Sequence, residues 1–218
     1  MDKYINRQQA GRILAHLLRD YAHNPNVIVL ALPRGGVPVA YEIANELSVP
    51  LDVFIVRKLG VPWHEELAMG AIASGGTVVL NDELIQSLNL QSSAIEQVIQ
   101  REQKELLRRE QVYRGKHFFP DLSGKIIILV DDGIATGATI QAAIQALRKH
   151  HPASIIVAVP VAADTTCEAL IEDVDLLICP LRPTNFYAVG LWYEDFSQTT
   201  DEEVVELLRR KGDGNGKP

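Results

Sequence analysis

At 218 residues and 47% hydrophobic content, the chain is long enough to bury a substantial core in one α/β domain, and no linker-like stretch divides it. A formal net charge of -7 argues against a general nucleic-acid or anionic-membrane surface, while leaving room for a local basic pocket that takes a small anion. Only Cys167 and Cys179 occur, without CxxC spacing or a Cys/His cluster, and no apolar run reaches bilayer length, so the expectation is a soluble protein of a reducing cytoplasm without disulfides or structural zinc.

The first element is a packing helix from Asn6, a suitable cap, to about Tyr21, with Ile13, Leu14, Leu17 and Leu18 on one face. Residues 27–32 form a short apolar strand that ends in PRGG, and a helical segment follows over 38–47. Gly35 and Gly36 let the backbone turn sharply and come close to a ligand, while Arg34 supplies a planar cation suited to bidentate phosphate contact. Residues 51–56 read as the next strand, which delivers Arg57 and Lys58 at its carboxyl end. Side chains alternate along a strand, so one of that pair is expected in any given crevice. Residues 60–69 show no clear periodicity and read as an irregular loop. AIASGGTVVL is a hairpin turning at Gly75-Gly76. Ser92 caps a long helix to about Tyr113, with Ile95, Val98, Ile99, Leu106 and Leu107 as its apolar face and charges of alternating sign as a solvated one.

The densest chemical signal is IIILVDDGIATGATI, residues 126–140. Five apolar residues, four of them β-branched, end at Asp131 and Asp132, and a Gly/Thr-rich loop runs into an amphipathic helix with Ile140, Ile144 and Leu147 as its buried stripe. In an open α/β sheet ligands lie outside the carboxyl ends of the strands, which places both carboxylates and the loop at the crevice. Ala135, Thr136, Gly137, Ala138 and Thr139 offer small side chains, hydroxyls and backbone N–H groups that open a helix, a cradle for a phosphate dianion. Asp131 and Asp132 would repel phosphate, but they accept hydrogen bonds from vicinal hydroxyls and help hold a hydrated Mg2+, directly or through ribose or water. A ribose 5-phosphate satisfies both halves. A Walker A loop is excluded because Ala138, not Lys, precedes Thr139. A dinucleotide fingerprint needs three glycines, and this loop has Gly133 and Gly137. A receiver domain would need an Asp near Cys179 and its acidic pair near its start.

Beyond the signature, a strand over 154–161, a helix over 165–171 and a strand over 174–179 continue the alternation of a parallel sheet with helices on both faces. Phe186, Tyr187, Trp192, Tyr193 and Phe196 then crowd into PTNFYAVGLWYEDF, and residues 201–210 read as a final helix. One domain over 1–211, with an excursion over 60–124 and a mobile polar tail over 212–218, is expected.

LVDDGIATGAT resembles the phosphoribosyl pyrophosphate (PRPP) signature of the type I phosphoribosyltransferases, and VRKLGVP and AVGLWYEDF extend the resemblance to bacterial members with no settled acceptor. The resemblance implies transfer of the 5-phosphoribosyl group from PRPP to a nitrogenous small-molecule acceptor, with Mg2+ and release of pyrophosphate. Asp131 and Asp132 would then bind the ribose, the loop from Ala135 to Thr139 the 5-phosphate, and Arg34, Gly35, Gly36, Arg57 and Lys58 the pyrophosphate. It further implies a mobile lid over 60–69 with His64 or Glu65 as proton-transfer candidates, and a hood over 180–200 in which Phe186, Tyr187 or Trp192 stacks on the acceptor. A homodimer is the expected assembly. Ala135 stands where 6-oxopurine enzymes commonly carry Asp, which points away from that acceptor class. The second reading is a regulatory protein that binds PRPP or a nucleotide without turnover.

Overall fold

The computed structural model describes residues 3–115 and 117–214. Asn6 is extended and its side chain accepts from the Gln9 N–H, which starts α1 (Arg7–Leu17). β1 (Val27–Ala31), buried along its whole length, leads through a short loop into α2 (Gly36–Leu47). β2 (Leu51–Val53), β3 (Val56–Val61), β4 (His64–Ala73) and β5 (Thr77–Leu80) come next, then a short α3 (Asp82–Ser87) and α4 (Ser92–Arg114). β6 (Ile126–Val130), α5 (Ala138–Arg148), β7 (Ser154–Ala158), α6 (Asp164–Leu170), β8 (Leu176–Ile178) and α7 (Asp201–Gly214) follow.

Five strands form a parallel sheet in the order β2-β1-β6-β7-β8. The direction of winding reverses between β1 and β6, which pair in register from Val27 opposite Ile126 to Ala31 opposite Val130. Such a reversal leaves a crevice beyond the carboxyl ends of the two strands. Alternation along the strands feeds two cores. Val27, Val29 and Ala31 face residues of α1, α2, α4 and α7, including Leu14, Ile43, Leu106 and Val204. Ile28, Leu30, Ile127 and Leu129 face α5 and α6, including Ile144, Leu147 and Leu170. Helices on both faces of a parallel α/β sheet are therefore present as expected.

The excursion departs from expectation in its first half. The strand expected over 51–56 stops at Val53, and Val56 begins a separate antiparallel sheet in the order β3-β4-β5. The break has a packing cause: Phe54 buries into one core and Ile55 into the other, while the Phe54 N–H still bonds to Ala31 and the Ile55 N–H turns to Ser74 Oγ. Arg57 and Lys58 thus lie in an edge strand of the second sheet. Residues 60–69 are mostly paired strand rather than irregular loop, with Val61 opposite His64 and register shifts on either side of Gly60. Periodicity is missing there because residues 64–68 of β4 are exposed on both faces, so nothing selects alternating apolar side chains. The β4–β5 hairpin turns at Gly75 and Gly76 with φ of 79° and 76°, as expected.

Three helix details also differ. Ser92 is the first residue of α4, and Gln91 occupies the cap position without a side-chain bond. α1 ends at Leu17 and a 3-10 turn covers Arg19–Tyr21. Its buried side includes Ala10, Gly11, Leu14 and Ala15, while Leu17 is 50% exposed. The small residues decide this: a Cβ on Gly11 would lie 2.5 Å from the Val39 carbonyl oxygen, so α1 meets α2 along its smallest face. α7 runs to Gly214, which takes helix into the first part of the tail expected over 212–218. The rest of that tail lies outside the described residues.

Candidate active site

Because β1 and β6 are neighbours in register, their two following loops meet. Leu32 N–H bonds to the Val130 carbonyl at 2.9 Å. A Cβ on Gly35 would collide with Asp132 Oδ2, and one on Gly36 would fall 2.7 Å from the Val130 carbonyl and 3.0 Å from Asp131 Cα. Both glycines are required by close approach, not by a left-handed backbone. The Pro33–Arg34 peptide between β1 and these glycines is cis.

The two carboxylates sit in unlike settings. Asp131 accepts the Asp132 N–H at 2.8 Å, and burial, reinforced by the charge of Asp132, holds its pKa well above the ordinary carboxylate range. Burial also raises Asp132, but Arg7 opposes the rise. The Arg7 guanidinium donates from Nε and Nη2 to Asp132 Oδ2 at 2.9 and 2.8 Å and from Nη1 to the Ser197 carbonyl at 2.7 Å. It also lies 4.0 Å from the centre of the Phe196 ring. The Tyr193 hydroxyl donates to the Asp132 backbone carbonyl at 2.6 Å, and burial followed by the Asp132 charge pushes its phenol up, so it stays a donor. After these bonds each carboxylate keeps acceptor capacity for hydroxyl groups.

Past the acids, Gly137 takes φ of 81° and opens α5 without any side-chain cap. The first N–H groups of α5 are therefore unclaimed by a capping side chain and available to an anion. Residues Gly133 to Ile140 and Asp131 line a cavity of about 130 Å³ over them. The loop is held from outside: Thr166 Oγ1 donates to the Ala135 carbonyl at 3.0 Å, and the Ile134 N–H bonds to Val161 at 2.9 Å. Ala135, Thr136, Gly137, Ala138 and Thr139 thus come together as one concave surface beside Asp131.

The three expected cations do not converge. Arg34 lines a cavity of about 160 Å³ with residues of α4 and α7. Arg57 and Lys58 border a different cavity of about 330 Å³, which also touches Arg101 and Glu102. Arg57 donates to Glu102 Oε2 at 2.7 Å from Nε, and Lys58 reaches Glu66 Oε2 at 3.1 Å. That both members of the pair border one cavity departs from simple alternation. Of the two proton-transfer candidates, His64 is exposed at the start of β4, and Glu65 pairs with Arg101 at 3.3 Å.

Among the aromatics, Phe186 and Trp192 pack against Tyr4, Val161 and Tyr193, while Tyr187 is 85% exposed. Trp192 Nε1 is buried without an acceptor among the described residues. The segment is strapped to the N-terminal stretch: the Tyr4 N–H bonds to Trp192 and the Glu194 N–H bonds to Tyr4, at 2.9 and 2.8 Å. Val189 seats it on Gly133, where a Cβ would come within 2.5 Å. Arg7 and Tyr193 are site residues that sequence reasoning missed. Asn6 marks the turn that carries Arg7, but nothing local ties residue 7 to residue 132.

This is a doubly wound α/β protein with its crevice at the switch point between β1 and β6, lined by an acid pair and a helix-opening loop. Residues 3–189 match the family described as phosphoribosyl transferase domain, and the chain belongs to that family. It is 45% identical over 211 residues to "Putative phosphoribosyl transferase Rv0571c" of Mycobacterium tuberculosis strain H37Rv and equally to its MT0597 counterpart in strain CDC 1551 / Oshkosh. Those matches cover 96% of this chain and 47% of each relative, so the chain spans about half the length of the curated relatives it matches. The crystal structure of TT1426 from Thermus thermophilus is 36% identical and superposes with a TM-score of 0.85 over 95% of this chain and 98% of that one.

Proposed function

We propose that the protein moves the 5-phosphoribosyl group of PRPP to a nitrogenous acceptor and releases pyrophosphate. The observation that supports this most is the adjacency, at one switch point, of half-buried acceptor carboxylates and a phosphate-sized loop, Asp131-Asp132 and Ala135 to Thr139. Asp131 and Asp132 accept from the ribose hydroxyls, and the loop N–H groups with Thr136 and Thr139 hold the 5-phosphate. Gly35 and Gly36 bring backbone close to the diphosphate, and Arg34 adds charge. As the C–O bond at the anomeric carbon breaks, the diphosphate leaves with the electron pair while the acceptor nitrogen forms the new bond, and the nearby carboxylates favour the cation-like centre.

No group of three His, Cys, Asp or Glu gathers among the described residues. A pair of hard carboxylates nevertheless fits Mg2+, which takes few protein ligands and completes its shell with substrate oxygens and water. Asp131 and Asp132 would hold the ion, directly or through ribose or water, and its chemistry there is neutralisation of the leaving diphosphate. Arg57 and Lys58 join the leaving group in this reading by exchanging Glu102 and Glu66 for phosphate oxygens. Of the three aromatic candidates, Tyr187 is the exposed ring that would stack on an acceptor, while Phe186 and Trp192 pack against the cluster of Tyr4, Val161 and Tyr193. The reading carries with it residues 1–211 as one catalytic domain, a cytoplasmic location, small-molecule partners rather than nucleic acid, and a homodimer.

Calorimetric titration with PRPP and Mg2+ tests it, on the wild type and on Asp131→Asn/Asp132→Asn. Saturable binding that weakens by about a hundredfold or more in the variant is expected, from the loss of several bonds to charged acceptors. Acceptor-dependent release of pyrophosphate then establishes transfer. A folded wild type that binds no PRPP overturns the reading.

A further inference from the structure

Arg34 is one residue from the glycine that presses on Asp132, and it makes no side-chain hydrogen bond or ion pair among the described residues. It shares its cavity of about 160 Å³ with Arg108, Arg109, Val112, Tyr113 and Asp201. Arg108 and Arg109 divide a single carboxylate: Glu105 accepts from Arg108 Nε and Nη2 at 2.7 and 2.8 Å and from Arg109 Nε at 2.9 Å. Asp201 is engaged by the Tyr113 hydroxyl at 2.6 Å. Three guanidinium groups therefore face two carboxylates that already have donors. The Nη groups of Arg109, Nη1 of Arg108 and the whole Arg34 fork remain without an acceptor among the described residues. Pairs spaced three and four apart on a helix are by themselves an ordinary solvated face. What sets this face apart is a cation from the β1 loop that converges on it and brings no acid of its own.

We propose that Arg34, Arg108 and Arg109 form a binding site for a phosphate or diphosphate anion, completed by α4. Forked guanidinium groups suit two neighbouring phosphate oxygens, and the cavity is of diphosphate size. Two sources share this chemistry: the diphosphate of PRPP, in which case the inference rests on the phosphoribosyl reading, and a free inorganic polyphosphate, in which case it does not.

The test is calorimetric titration of the full chain with pyrophosphate, comparing wild type, Arg108→Gln/Arg109→Gln and Arg210→Gln. The Arg108 and Arg109 side chains are 61% and 42% exposed, so the double variant is expected to keep its fold. Arg210, bonded to Glu206 at 2.8 Å on α7, controls for loss of an exposed charge. Pyrophosphate affinity is expected to fall by about tenfold in the double variant and to hold in Arg210→Gln. A wild type that takes no pyrophosphate, or a double variant that binds it as tightly as wild type, overturns the proposal. Parallel titrations separate the sources. Weakened PRPP with unchanged ribose 5-phosphate places the site at the diphosphate end of the substrate. Unchanged PRPP, with pyrophosphate still binding in its saturating presence, assigns it to a free anion. Failure of the wild type to bind PRPP sinks the phosphoribosyl reading while leaving an Arg108- and Arg109-dependent pyrophosphate site standing.

Discussion

The β6–α5 region and the β3–α4 region are built on opposite plans. From Asp131 to Thr139 every candidate group lies in nine consecutive residues, and one strand end with one helix start places them. Around β3 and α4 the charged groups come from distant positions and meet in pairs, such as Arg57 with Glu102 and Arg101 with Glu65. A site carried by the backbone is preorganised when the strand and helix form. A site carried by long charged side chains is defined by whichever partner each holds at the moment, so it suits exchange with a ligand.

The sharpest way to break that contrast is Arg7→Met, because Arg7 is the distant residue on which the local region leans. Arg7 is 8% exposed, and its loss leaves the half-buried Asp132 without its cation. A cost of about 3 kcal/mol in urea denaturation is expected, with partial recovery in Arg7→Lys. A cost within experimental error would mean that the acid pair stands without the N-terminal helix. Gly35→Ala comes next: its Cβ would displace the Asp132 carboxylate, and a loss of about 1–3 kcal/mol in stability is expected from overpacking, together with weakened PRPP binding. Unaltered PRPP affinity in a stable Gly35→Ala protein would separate the β1 loop from the proposed ribose site.

A smaller and opposite effect is expected at Asp131. Its pKa is raised on folding, so the folded state prefers the protonated carboxyl. Stability from this group is fully present below the unfolded pKa of about 4 and is lost as pH rises through the raised folded value. Asp131→Asn should therefore melt above wild type at pH 7, by about 3 °C if the gain is near 1 kcal/mol, and the two should converge as the pH falls. A lower melting temperature for the variant at pH 7 would contradict the stated burial cost. The smallest effect belongs to the second region. Lys58 and Glu66 side chains are 45% and 90% exposed, so Lys58→Gln should shift stability by less than about 0.5 kcal/mol. A larger loss would show the hairpin to be locked to its neighbours rather than exchangeable.

Much of this molecule is legible in order along the chain. The run from Ile126 to Val130 is apolar and β-branched and becomes a central strand, Asn6 caps α1, and Gly75-Gly76 turns the hairpin, because each depends on neighbours in sequence. Residues 51–61 are harder to read. Their apolar character is real, but the chain changes sheets at Phe54 and Ile55, and the choice between two cores is made by what packs on either side. The exposed half of β4 is hidden for the reason that makes other strands visible: without a buried face there is no alternation to read.

What the sequence by itself determined is the α/β class, a parallel sheet with helices on both faces, and the order of acid pair and loop at a strand end, since strand period, helix start and the small loop residues act over a few bonds. Tertiary structure alone decided that Arg7 holds Asp132 across 125 residues, that Arg57 and Lys58 turn to carboxylates of their own, and that Arg34 meets α4. Long charged side chains choose partners by proximity in space, and proximity in space leaves no periodic trace in the order of residues.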